Sequence, residues 1–90
     1  MRVIVLYRPS SEHGRDVETF INDFHRQHDA THLEVMNVDS REGSATASLY
    51  DVMQYPTILA LGNDGSLIKS WEGDTLPLMD EVAYYTFSEQ

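Results

Sequence analysis

Tyr55-Pro56-Thr57-Ile58-Leu59-Ala60-Leu61-Gly62-Asn63-Asp64-Gly65-Ser66-Leu67-Ile68-Lys69-Ser70-Trp71-Glu72, residues 55–72, is the stretch that decides the fold. Pro56 opens a run from Thr57 to Leu61 whose composition and length suit a strand. Asn63-Asp64-Gly65 comes next, and these residues tolerate the positive φ that a tight hairpin demands. Leu67 to Glu72 is then the returning strand, antiparallel to the first.

Upstream, Val3-Ile4-Val5-Leu6-Tyr7 is apolar at every position, as a strand covered on both faces must be. Arg8-Pro9-Ser10-Ser11 ends it, and either serine can cap the next helix. Val17, Phe20, Ile21 and Phe24 recur at i, i+3, i+4 and i+7, one stripe of an amphipathic helix. Asp16 and Glu18 sit near its start, where the helix dipole favours negative charge. A second strand is predicted from about His32 to Val38, ending at Asp39. Ser44 to Val52 reads as a short helix with Ala45, Leu49, Val52 and Met53 on its apolar side. Downstream of the hairpin, Thr75 and Pro77 begin a last helix carrying Leu78, Val82 and Tyr85. The order is β-α-β-α-β-β-α. A strand-helix-strand opening implies a parallel pair with a right-handed crossover, and the hairpin adds two antiparallel strands. The expected fold class is α/β: a mixed four-stranded sheet, order 2-1-3-4, with helices on both faces and the first and third helices sharing one. Residues 1–90 are expected to form a single domain.

Fifteen acidic residues against six basic give a formal charge of −9. A nucleic-acid binder needs Lys and Arg to displace counterions, so neither nucleic acid nor an anionic membrane surface is an expected partner. Neutral or basic partners fit the charge better, although solubility alone also accounts for it. No apolar run approaches a membrane span, and Met1 leads almost directly into a strand with no signal-like segment, so a cytoplasmic location is the expectation. There is no cysteine, which excludes disulfides, thiolate nucleophiles and Cys-ligated zinc.

The element order, together with Val38-Asp39, the short helix, and Tyr50-Asp51-Val52-Met53-Gln54-Tyr55-Pro56-Thr57, resembles the thioredoxin and glutaredoxin family. The resemblance covers essentially the whole chain, starting from the family's central strand without the extra N-terminal strand and helix of full thioredoxins. It implies that Tyr55-Pro56 is the family's cis-proline loop; a cis X-Pro bond lies only about 0.5–1 kcal/mol above trans. It also implies that Asp51 stands where a glycine usually follows the aromatic residue, and that Gly73 lines the substrate surface. Aligned through Pro9, the Cys-x-x-Cys motif falls on Ser11-Glu12-His13-Gly14, so both sulfur positions are lost. Val5 falls where the family places a buried acid. Thiol-disulfide exchange needs an attacking thiolate and a resolving thiol, and this chain supplies neither.

Other chemistries are weaker. Ser11 as a nucleophile needs an adjacent base and an oxyanion hole, and His13 two residues away does not face it within a helical turn. Some glutathione transferases use a serine near this place, so glutathione-like ligand binding, or a glutathione-dependent enzyme with Ser11 in place of the catalytic Cys, is the alternative function. Those enzymes also need an all-helical second domain, and Glu12 would compete with an anionic ligand at the helix start. His25, His28 and His32 have spacing that could suggest a metal, but the first two continue the apolar stripe and read as core-edge residues near the helix's negative end. Trp71 could line a groove or pack under a helix. The expectation is therefore a redox-inactive thioredoxin-fold domain that binds a protein or peptide, without metal or cofactor. Its contact surface would be Ser11, Glu12, His13, Tyr55, Pro56 and Gly73.

Overall fold

The computed structural model describes residues 2–28, 33–73 and 76–86. Seven elements succeed one another: β1 (Arg2–Tyr7), α1 (Gly14–Gln27), β2 (Glu34–Asn37), α2 (Arg41–Leu49), β3 (Thr57–Leu61), β4 (Leu67–Glu72) and α3 (Met79–Tyr84). They build one four-stranded sheet in the order β2-β1-β3-β4. β1 runs parallel to β2, with Val5 opposite Val35, and antiparallel to β3, with Val5 opposite Ile58. The predicted α/β architecture is the one observed.

Alternation along β1 sorts its side chains into two cores. Val3, Val5 and Tyr7 join Val17, Phe20, Ile21 and Phe24 of α1 and Val82 and Ala83 of α3 on one face. Ile4 and Leu6 meet Ala47 of α2, Val52, Leu59 and Leu61 on the other. α1 and α3 thus share a face, and β1, covered on both sides from Val3 to Tyr7, is apolar over that stretch. Among the described residues no helix is long and apolar enough to cross a membrane.

Three local expectations need correction. Neither Ser10 nor Ser11 caps α1: His13 holds the N-cap position without a side-chain cap bond, and the Ser11 hydroxyl donates instead to Arg8 O at 2.6 Å. α2 begins at Arg41, because Ser40 Oγ accepts the Gly43 N–H at 2.9 Å and satisfies an otherwise unpaired donor. Its sheet-facing residues are Gly43 and Ala47, while Leu49 and Met53 are 72% and 82% exposed. A Cβ on Gly43 would lie 2.0 Å from Asn37 O, so the close approach of α2 to the end of β2 selects small residues, not the large apolar ones. Finally, α3 starts at Met79 with Leu78 as an exposed N-cap, so Pro77 and Leu78 precede the helix and Met79 takes the core-facing place. Thr75 and His32 lie outside the described residues.

α2 ends in a Schellman arrangement. Asp51 N–H donates to Ser48 O and Val52 N–H to Ala47 O, with Asp51 itself at φ 55°. Left-handed backbone costs an L-residue, and aspartate bears it better than most. Replacing Asp51 with glycine should therefore stabilise the protein by about 0.5–1 kcal/mol. A raised urea midpoint at unchanged m-value is the expected reading; an unchanged or lowered midpoint would contradict it.

Candidate functional site

The loops after β1, after β2 and before β3 meet at one end of the sheet, and Arg8 fastens them together. Its guanidinium makes a two-pronged ion pair with Asp39 at 3.0 and 3.1 Å and lies 6.0 Å from the centre of the Tyr55 ring. The Asp39 hydrogen bond and charge raise the Arg8 pKa further above its usual value. The Arg8 N–H donates to His13 Nε2 at 3.2 Å, and Arg8 O accepts from the Ser11 N–H and hydroxyl. One residue thus touches the segments that carry Ser11, His13, Asp39 and Tyr55.

This arrangement disposes of a serine–histidine pair. The Ser11 proton points at Arg8 O, and His13 Nε2 is already accepting the Arg8 N–H, which places the ring proton of the neutral imidazole on Nδ1. Hydroxyl and base are each committed to the same backbone segment instead of to each other.

Glu12, His13 and Pro56 line one open cleft together with Asp16, Val17 and Leu76, about 260 Å³ in volume. Tyr55 lines a neighbouring depression with Val52 and Met53 beside α2. The Tyr55-Pro56 bond is cis. Gly73, at φ 100°, donates its N–H to Pro56 O at 3.0 Å, so the end of β4 borders the same loop. Among the described residues no hydrogen bond engages the Tyr55 backbone. Of the six sequence-selected residues, Glu12, His13 and Pro56 line this cleft, Tyr55 and Gly73 adjoin it only through Pro56, and Ser11 is turned into its own loop.

Gly14 begins α1 beside this cleft, and it is fixed by space. A Cβ there would lie 2.2 Å from Pro9 O and 2.9 Å from Pro9 C. The start of α1 rests on the Pro9 backbone at the second sulfur position of the resembled motif. At the other site of interest, Val5 is fully buried among apolar neighbours.

No family model matches the sequence, and no curated protein matches it. A comparison of three-dimensional structures does find likeness. Thioredoxin 1 from the thermophilic eubacterium Thermosipho africanus superposes with a TM-score of 0.65 at 18% identity, covering 94% of this chain and 89% of that one. The fold is thioredoxin-like. With no cysteine anywhere in the sequence, this thioredoxin-like chain is redox-inactive in the dithiol sense.

His25, His28 and Trp71 take structural places in the thioredoxin-like frame. His25 and His28 are half-buried against Phe24, with ring centres 6.2 and 5.0 Å away, and His28 Nε2 lies 3.6 Å from Asp80. Among the described residues no three His, Asp or Glu side chains are grouped to hold a metal. Trp71 packs edge-on against Tyr85 at 5.5 Å and is not part of the cleft lining. Sequence reasoning missed Asp16, Val17 and Leu76 as cleft residues. Asp16 was findable, since it stands in the first turn of α1, three positions after the cleft residue His13. Leu76 was not, because it arrives from beyond β4 through tertiary packing.

Proposed function

We propose that this redox-inactive thioredoxin-like chain is a protein- or peptide-interaction module that docks an extended segment on Glu12, His13, Tyr55, Pro56 and Gly73. The observation that carries the reading is the open cleft over Pro56, standing where the dithiol motif would sit, beside a Tyr55 backbone with no hydrogen bond among the described residues. Unpaired N–H and C=O groups on an accessible chain are a template for an added strand. Ser11 takes only a loop-shaping role in this reading, which removes the support for Ser11-based glutathione chemistry. The −9 charge favours a neutral or basic partner.

Without a mixed disulfide to trap the complex, a short strand pairing must offset its own ordering entropy, so affinity is micromolar or weaker, about −8 kcal/mol at most in magnitude. A peptide array probed with the tagged protein tests this. Retention of extended neutral or basic sequences is expected; retention of none, or of acidic sequences only, would overturn the proposal.

A further inference from the structure

We infer that the cleft over Pro56 is a subsite for a lysine or arginine side chain of the docked segment. This rests on the docking reading above and adds the chemistry of one partner residue. The cleft has two parts. Val17, Pro56 and Leu76 give an apolar floor, and Glu12 and Asp16 stand at its rim with exposed carboxylates. Neither carboxylate makes an ion pair or hydrogen bond among the described residues, whereas Glu34, Asp39, Asp23 and Glu81 each hold a cation. The cleft lining contains no lysine or arginine. Arg8, on the neighbouring loop, is taken up by Asp39 and the Tyr55 ring.

A long basic side chain matches both parts, with its methylene stem on the floor and its charged head at the rim, still touching water. An acidic side chain would meet two like charges, and a purely apolar one would leave both carboxylates without a counterpart. His13 also lines the cleft, but its Nε2 is turned to the Arg8 N–H and offers no acceptor to the guest. The pairing supplies selectivity between sequences more than raw affinity, because exposed carboxylates act through solvent.

The test uses short capped threonine–valine peptides with a central lysine, norleucine or glutamate, titrated into the 15N-labelled full chain at low ionic strength. The lysine peptide is expected to bind about fivefold more tightly than the norleucine peptide. It should shift the amides of Glu12, Asp16, Val17 and Leu76, and its advantage should vanish in Glu12→Gln/Asp16→Asn and at high salt. Equal affinity of lysine and norleucine peptides, with Tyr55 and Gly73 still shifting, would overturn the subsite and leave the docking reading in place. A lysine advantage that survives the double substitution would assign it to the general negative field and also overturn the subsite. Absence of shifts at Tyr55 and Gly73 with every peptide would overturn both.

Discussion

Placing a cysteine at position 14 is expected to cost the protein about 3 kcal/mol of stability, a large share of the roughly 5–15 kcal/mol that holds a small domain together. The cause is steric: any Cβ at Gly14 would sit 2.2 Å from Pro9 O, and the obstacle is main chain, not the end of a flexible side chain. Relief requires moving the start of α1 away from the β1–α1 loop. Ser11→Cys has no such obstacle and loses only the hydroxyl bond to Arg8 O, a change of about 1 kcal/mol. The double variant Ser11→Cys/Gly14→Cys should therefore unfold at a lower urea concentration than Ser11→Cys alone. If Gly14→Cys unfolded at the wild-type midpoint, the close packing on Pro9 would be wrong. The second position of the resembled Cys-x-x-Cys motif is thus closed by backbone geometry as well as by residue identity.

Val5→Asp, which restores an acid at the position resembling the family's buried one, should be the other severely disruptive change. Val5 lies at the centre of the sheet, fully buried between Val35 and Ile58, in the core that joins α1 and α3. A carboxylate there has no cation or donor to pair with, and leaving a charge buried and uncompensated costs about 3–5 kcal/mol. Burial favours the neutral acid, so the introduced carboxyl would have a folded-state pKa above its unfolded value of about 4. Its penalty is then smallest below that value and grows as pH rises toward neutrality. Urea unfolding of variant and wild type at acidic and neutral pH should show the gap widening with pH. A gap independent of pH would mean that the carboxyl reaches solvent.

The sheet was legible because its signals are local. Val3 to Tyr7 is apolar without interruption, and Asn63-Asp64-Gly65 forms the turn with Gly65 at φ 86°. There, Asp64 Oδ1 accepts from the Ser66 N–H and hydroxyl, which lowers the Asp64 pKa. The face of α2 was misread for a physical reason: hydrophobic size marks burial only where there is space for it. Gly43 and Ala47 face the sheet because the helix lies almost on Asn37, and that distance is not written in the helix's own sequence. The same limit applied to the site. Position relative to Pro9 and Pro56 singled out Glu12, His13, Tyr55 and Gly73, which the fold places near one loop, while the part played by Arg8 depends on three loops meeting and has no local signature. Ser11 looked like a cap by residue type, but hydroxyls bond whichever nearby carbonyl the loop presents, and here that is Arg8 O.

The proposed docking around Pro56 is tested most directly by mapping where a partner touches. Titrating the 15N-labelled chain with the peptide best retained on the array should shift the amides of Glu12, His13, Tyr55 and Gly73 while leaving β2 and α3 unmoved. Shifts confined to Glu34–Asn37 or to Met79–Tyr84, with Glu12, His13 and Tyr55 unchanged, would place the interface elsewhere on the fold and contradict it.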